Sequence, residues 1–493
     1  MKKLAIILLA CILCMSFVAC GEAKSTHNPT STKPEFTQPT STQPTEGNAP
    51  TKPQTCYDHV WVDATCTAPK TCANCGATEG AKSEHQYTET ARVEATSNTD
   101  GSVTYTCSVC KGDYEEVLYA TGSVGLEYKD HGNGNCAVVG IGTCTDRHVV
   151  IPAYYNGMKV VKIDQLALTD SSIERVTLPN TIMMVYANCF GELQYTEYGN
   201  CYYLGNAKNP YLVLVSAAST ECSEYTIHED TKVIAGLAFD ACKSMTAITI
   251  PDNVISVGGS AFYDCPNLQY TEYGNCYYLG NAGNPYYVLV TTANNQESSY
   301  TIHQNTKIIA STAFNGCRNM ASLVIPNGVT HIGDTAFIGS DNLESVVIPD
   351  SVISLGEAAF MASAVKSVVL GKGITLIERE TFYGCGRLNS IVISDSVTAI
   401  GEAAFFLCRD LKSVEIPNSV TRIGKYAFGE CYYLRNVTLG IGLKQIDDGA
   451  FGDCYDTVRV DYCGTMEQWQ AISKGDYWVR KCVIQCTDGQ ITE

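Results

Sequence analysis

The sequence predicts a β-rich repeat solenoid with about 11 coils of 22–23 residues. Three observations support this prediction. A phrase of constant length recurs along the chain, each copy contains a short alternating apolar run typical of a β-strand, and each copy ends in an Ala-Phe step. The phrase is clearest between Leu411 and Cys431, where the run Val414-Glu415-Ile416 is followed by Pro417.

The aromatic position of the Ala-Phe step marks the period. Leu168 opens the series, and phenylalanines follow at positions 190, 239, 262, 314, 337, 360, 382, 405, 428 and 451. The gaps are 22 or 23 residues, except for gaps of 49 and 52 residues that we interpret as one repeat plus an insert. In a solenoid each unit covers the apolar edge of its neighbour, so we expect this column to form the core.

Within each repeat, alternation places the valine and isoleucine of the strand inward. Proline then ends the strand, because it lacks the N–H that a ladder requires. The residue between the two inward positions faces outward, and in four successive coils it is valine: Val324, Val347, Val369 and Val392. This apolar stripe is a candidate partner-binding surface. The alternative is that valine occurs there only because it favours strands.

The repeat resembles the bacterial leucine-rich repeats of the BspA-like surface-protein class, with the pattern Val-x-Ile-Pro-x-Ser-Val-x-x-Ile-Gly-x-x-Ala-Phe-x-x-Cys over residues 161–455. The resemblance implies an exported, surface-displayed scaffold that binds other molecules, and no enzymatic activity. It also implies localisation on the outer face of a bacterial membrane.

The formal charge of −18 argues against a nucleic-acid partner, which would require a basic surface for phosphates. The sequence contains no Gly-x-Ser-x-Gly, phosphate-binding loop or His-Glu-x-x-His motif. We therefore predict a protein that is not an enzyme.

The first 20 residues predict a lipoprotein-type signal peptide. Lys2 and Lys3 precede an apolar run, and Phe17-Val18-Ala19-Cys20 resembles a lipobox in which phenylalanine replaces the usual leucine. Cys20 would then carry the lipid anchor, and its two acyl chains are enough for stable membrane attachment. The alternative is a plain secretion signal. Residues 21–55, rich in Thr, Ser and Pro, indicate a disordered tether.

Residues 56–120 form a small zinc-ribbon-like module with two half-copies. The first half-copy offers Cys56, His59, Cys72 and Cys75 as ligands of a structural zinc ion. The second offers His85, Cys107 and Cys110, a weaker set without an obvious fourth ligand. Disulfides or free thiols remain the alternatives, because an exported compartment is oxidising. We expect no other cofactor.

Residues 121–160 indicate an N-terminal β cap, across which Cys136 and Cys144 could form a disulfide, and residues 456–493 indicate a C-terminal cap. Two similar inserts near 194–222 and 269–299 predict β-hairpins. His228 and His303 follow them at equivalent positions, and we interpret both as polar residues at strand ends.

The leading functional hypothesis is a lipid-anchored scaffold that mediates adhesion by binding proteins of a host or neighbouring cell. The alternative is a glycan-binding module in which the tyrosines of the inserts contact sugars. The candidate residues for this second surface are Tyr198, Tyr202, Tyr273 and Tyr277.

Overall fold

The structure is a computed structural model that describes residues 61–62, 65–66, 68–73, 77–79, 84–96, 101–118, 120–454 and 458–492. The chain divides into two compact units, residues 1–83 and 84–493. In the first unit, the described strands form one antiparallel sheet: Trp61–Val62, Lys70–Cys72 and Thr78–Glu79. Several predictions fall outside the described residues: the signal peptide with Cys20, the tether, and the ligands Cys56, His59 and Cys75.

The second unit begins with a three-stranded antiparallel meander, made of Tyr87–Val93, Gly101–Cys107 and Asp113–Leu118. The cap that follows has strands Glu127–Asp130, Asn135–Gly140, His148–Val150, Tyr154–Tyr155 and Met158–Ile163. Cys136 and Cys144 are free thiols, so the expected disulfide across the cap is wrong. The strand Met158–Ile163 pairs in parallel with Met184–Val185, which starts the repeats directly on the cap.

The coils form two parallel ladders, and several of the coils contribute a strand only to the second. The first ladder carries the outward valines, and its strands are Arg175–Thr177, Ser345–Val347, Ser367–Val369, Ser390–Val392, Ser413–Ile416, Asn436–Leu439, Val458–Tyr462 and Cys482–Cys486, closed by the antiparallel Gly489–Thr492. The second ladder consists of two-residue strands: Met184–Val185, Val233–Ile234, Ser256–Val257, Ile308–Ile309, His331–Ile332, Ser354–Leu355, Leu376–Ile377, Ala399–Ile400, Arg422–Ile423, Gln445–Ile446 and Ser473–Lys474.

The phenylalanine column forms the core, as predicted. From Phe314 to Phe451 every ring of the column is buried and stacked on the next, with neighbouring centroids 4.8–5.6 Å apart. Phe239 and Phe262 form a separate stack ahead of the second insert. Trp478 closes the long stack at its C-terminal end with an edge contact to Phe451.

The cysteines of the repeat act as small buried donors between coils. Five of those that follow a phenylalanine by three positions donate the thiol to the carbonyl of the phenylalanine one coil earlier: Cys265 to Phe239, Cys385 to Phe360, Cys408 to Phe382, Cys431 to Phe405 and Cys454 to Phe428, at 3.0–3.3 Å. Burial raises the pKa of these thiols, which keeps them protonated and able to donate.

The solenoid has about 15 turns, more than the 11 coils that the period predicts. The difference arises because the cap and the inserts add rungs: the cap strand Asn135–Gly140 pairs in parallel with Met158–Ile163, and one strand of each insert pairs with the second ladder.

Both inserts contain the predicted hairpin, and a further strand ahead of it makes each insert a three-stranded sheet. Their strands are Thr196–Tyr198, Cys201–Leu204 and Val213–Ala217, and then Thr271–Tyr273, Cys276–Leu279 and Val288–Thr292. The strand Val213–Ala217 pairs with both residues of Val233–Ile234, whereas just beyond that strand Gly236 donates directly to Val185 of the previous coil. The insert strand is therefore inserted beside Val233–Ile234, while the next residues bond directly to the previous coil.

The C-terminal cap contains the one α-helix in the described part of the chain, Met466–Gln470. Thr465 caps it, and Gln468 completes a capping box by accepting from the Thr465 N–H. The helix buries Trp469 near Tyr462 and Trp478, so the last coil does not expose its core.

Candidate partner-binding surfaces and metal-ligand cluster

The four outward valines occupy the equivalent position in successive coils, the last three on strands of the first ladder, and we call them the valine surface: Val324, Val347, Val369 and Val392. They are 42–80 % exposed, and the last three occupy directly paired positions on neighbouring strands. The inward neighbours Val346 and Val368 are buried, which fixes the outward direction of the row. The serines Ser345, Ser367 and Ser390 are paired in the same register beside it.

Polar and charged residues bound the valine surface. Glu415 and Thr438 occupy the outward position in the next two coils, so the apolar row ends there. On its flank, Lys366 and Glu344 form an exposed ion pair at 2.6 Å. An apolar row surrounded by hydroxyls and charges is the arrangement expected of a protein-binding surface.

The second ladder, by contrast, is covered by the chain itself. Residues 130–135, which we call the cap loop, connect two cap strands and lie against coils more than 240 positions later in the sequence. Asn133 and Asn135 donate to the two carboxylate oxygens of Glu378 at 2.8 and 3.1 Å. Asp130 accepts from Arg422 at 2.8 Å, and the carbonyl of His131 accepts from the backbone of Glu402.

The backbone of the cap loop approaches the coils closely at Gly132. This residue has φ 77°, and a Cβ there would lie 3.0 Å from the Cα of Gly424. Only glycine combines the positive φ with this contact.

A buried ion cluster joins the cap to the middle coils. Lys162, on the cap strand and 5 % exposed, donates to Asp334 and Glu357 at 3.0 Å each, and Tyr186 donates to the same Asp334 at 2.7 Å. Burial lowers the pKa of Lys162, but the two carboxylates outweigh it and raise the pKa above its ordinary value. Burial likewise raises the pKa of Glu357, yet the charges of Lys162, His131 and Arg379 hold it at about 2.

His131 is another buried titratable group where the cap loop and the Lys162 cluster contact the second ladder, a contact that we call the closure. It is 2 % exposed, and burial, with a smaller contribution from Lys162, lowers its pKa to about 4. Beside this cluster, the second ladder lines a small cavity of ≈ 50 Å³ with Met184, Ile309 and Ile332. Such a cavity is far smaller than the pockets that hold organic ligands. The second ladder therefore does not offer a free binding face.

Sequence reasoning missed this closure, although one signal was available. In the pattern Ile-Gly-x, the position after glycine is acidic at Asp334, Glu357 and Glu402, and Glu378 itself replaces the glycine in another coil. A row of acids on one ladder requires a counter-charge, which Lys162 and Arg379 supply.

The predicted tyrosines of the inserts lie on opposite faces of their hairpins. Tyr198 pairs with Cys201, so it shares a face with the buried Tyr203, whereas Tyr202 pairs with Glu197 and stacks on Tyr195 at 5.2 Å. The second insert repeats this division: Tyr273 pairs with Cys276, and Tyr277 stacks on Tyr270 at 5.3 Å. The four candidate tyrosines therefore form two kinds of surface.

His228 and His303, interpreted above as strand-end residues, pack against the inserts. His228 stacks on Tyr211 with centroids 3.7 Å apart and is edge-on to Tyr198 at 4.8 Å. His303 repeats this with Tyr286 at 3.6 Å and Tyr273 at 4.9 Å. Only the tertiary structure brings these rings together.

Three of the predicted metal ligands meet in the meander. His85, Cys107 and Cys110 place their ligand atoms within 4.8 Å of one another, and His85 Nδ1 lies 3.4 Å from Cys110 Sγ. A tight turn holds the cysteines, with Lys111 at φ 61° donating to the Cys107 carbonyl. The N–H of Cys110, followed by smaller contributions from His85 and Val109, lowers the pKa of Cys107 to about 5. Two thiols and an imidazole in this arrangement are a zinc-type donor set. Of the first half-copy, Cys72 is described, and it is buried.

The fold and its exposed faces define a repeat scaffold, a class that is typically not enzymatic. The family model of the BspA type leucine rich repeat region matches residues 217–282, 292–412 and 356–472 in six copies, about half of the chain. The chain belongs to this family.

The chain is also similar, at low identity, to several solved structures. A leucine rich cell surface protein from Faecalibacterium prausnitzii is 23 % identical, with a TM-score of 0.30, over 71 % of this chain and 96 % of that one. A leucine-rich repeat protein from Eubacterium ventriosum is 20 % identical, with a TM-score of 0.37, over 76 % and 99 %. One from Bacteroides ovatus is 21 % identical, with a TM-score of 0.29, over 70 % and 95 %. A search of curated proteins found no match.

Within the described residues, no helix has the length and apolar character needed to span a membrane.

Proposed function

We propose that the protein is a cell-surface scaffold that binds a protein partner through the valine surface. The observation that supports this role most directly is the contrast between the two ladders. The cap loop and its charged contacts cover the second ladder, whereas the first exposes Val324, Val347, Val369 and Val392 without a covering element in the described chain. Adhesion to a host or neighbouring cell is the form of binding that such a display would serve.

A paired substitution tests the valine surface. Val347→Asp together with Val369→Asp removes two apolar contacts of about 1.5 kcal/mol each and should weaken binding to a protein partner about 100-fold. The measurement is binding of the full chain to an array of purified extracellular-matrix proteins. Thr249→Asp is the matched control, because Thr249 is exposed at the same outward position in another coil. Equal binding by the paired variant and the control would remove the support for this surface.

Anchoring is the second component of the proposal. The support is the lipobox-like sequence Phe17-Val18-Ala19-Cys20 after an apolar run. Growth with a palmitate analogue should label the native chain and leave Cys20→Ser unlabelled, and protease added to intact cells should digest the native chain. Labelling of both chains, or protection from protease, would contradict surface anchoring.

The third component is a structural zinc ion held by Cys107, Cys110 and His85. The cluster described above supports this role, because two thiols and an imidazole lie within reach of one ion. A bound metal ion would stabilise the turn between the two strands, because the turn has little apolar core of its own.

A further inference from the structure

We infer that the two inserts form a pair of equivalent binding sites for neutral sugar rings. Each site consists of an exposed tyrosine beside a histidine: Tyr198 with His228 in the first insert, and Tyr273 with His303 in the second. The sites lie apart from the valine surface on other coils, and the inference does not depend on the protein-binding role proposed above.

The tyrosine of each site is held in place yet exposed. Tyr198 and Tyr273 are both 41 % exposed. Each precedes a two-residue turn whose residues have positive φ, 57° and 62° at Gly199 and Asn200, and a Cβ on Gly199 would lie 2.2 Å from the Thr226 carbonyl. Glycine is therefore required at the tip, and the turn fixes the direction of the tyrosine.

The histidine of each site presents an oriented hydrogen-bond donor. His228 Nδ1 accepts from the backbone N–H of Asp230 at 3.1 Å, and His303 Nδ1 accepts from that of Asn305 at 3.2 Å. Because Nδ1 is an acceptor, the ring proton lies on Nε2. No group within the described residues accepts from either Nε2, so each site offers a free N–H beside an exposed aromatic ring.

Comparison of the two sites identifies the charge of the ligand. Both contain the same tyrosines and histidine in nearly the same geometry, but Glu229 and Asp230 follow the first histidine where Gln304 and Asn305 follow the second. An anion would be repelled at the first site, and a cation would gain nothing from the Nε2–H donor. A neutral sugar satisfies both sites, because its C–H face packs on the tyrosine while a hydroxyl accepts from Nε2.

Binding of the full chain to immobilised neutral polysaccharides tests the inference, with a β-glucan, a mannan and a galactan as probes and polygalacturonate as the anionic comparison. We expect binding to at least one neutral probe. Tyr198→Ala or Tyr273→Ala alone should lower the apparent affinity about 100-fold, because the second contact to the same polymer is lost, and the double variant should not bind. No binding to any neutral probe, or stronger binding to polygalacturonate, would overturn the inference.

A second double variant tests the contribution of the histidine Nε2–H donor. His228→Phe with His303→Phe keeps a ring stacked on Tyr211 and Tyr286 but removes the Nε2–H, and it should weaken binding about tenfold. Unchanged affinity would refute the assigned site. Tyr263→Ala, an exposed tyrosine outside the inserts, should bind like the native chain. The paired valine variant should also retain sugar binding, which separates failure of this inference from failure of the protein-binding role.

Discussion

Lys162→Met should open the contact between the cap and the middle coils. The substitution keeps the length and apolar part of the side chain but removes the charge that joins Asp334 and Glu357. Both carboxylates are largely buried, at 8 % and 13 % side-chain exposure, so Asp334 would lose the cation that pairs with it and Glu357 would keep only Arg379. Breaking a buried pair in this way typically costs about 3–5 kcal/mol, much of it from the uncompensated carboxylates.

Two measurements separate global from local effects of Lys162→Met. Denaturant unfolding gives the loss of stability. Hydrogen exchange at the Glu402 amide, which donates to the His131 carbonyl of the cap loop, gives the opening of the closure itself. We expect a lower unfolding midpoint and faster exchange at Glu402.

The matched control is Lys159→Met, three positions earlier on the same cap strand, where no ion pair occurs in the described structure. It should leave both measurements unchanged. Adding Asp334→Asn and Glu357→Gln to Lys162→Met should recover most of the loss, because the cost comes from the unpaired charges. If Lys162→Met unfolds at the native midpoint and its Glu402 amide stays protected from exchange, the ion cluster does not stabilise the contact between the cap and the coils.

The remaining predictions concern the core, the pH response and the metal. Phe382→Ala should cost about 3–5 kcal/mol in a denaturant titration, because it leaves a cavity in a fully buried stack, and Phe406→Ala, half-buried one coil away, should cost clearly less. The pKa values of His131 and Glu357 are depressed, so stability should fall as the pH drops, from pH 6.5 to 4 for His131 and from 4.5 to 2 for Glu357. Over the His131 interval the free energy of unfolding should fall by on the order of 3 kcal/mol. Burial raises the pKa of Glu378, which partly offsets this loss. The His131→Asn variant should lack this slope, and a native slope in that variant would contradict it. Elemental analysis should find zinc in the full chain and less in Cys107→Ser with Cys110→Ser, whereas the buried Cys408→Ser should keep it; equal zinc in all three would exclude this cluster.

The repeat period by itself determined most of the fold. The 22–23-residue spacing of phenylalanine predicted the stacked core, and strand alternation predicted the outward direction of Val347 and its neighbours. Both features depend on local spacing and on contacts between adjacent coils, and a repeated sequence encodes these contacts in every coil. The count of turns was too low, because the cap and insert strands add rungs without carrying the Ala-Phe step.

The tertiary structure alone decided which ladder remains accessible and which side chains form the sites. Lys162 and Asp334 are 172 positions apart, and Tyr198 and His228 meet only after the insert folds back on the next coil. Pairing of this kind depends on where the cap strand and the insert strands lie against the coils, which contacts between residues far apart in the chain determine. No single repeat of the sequence specifies these positions.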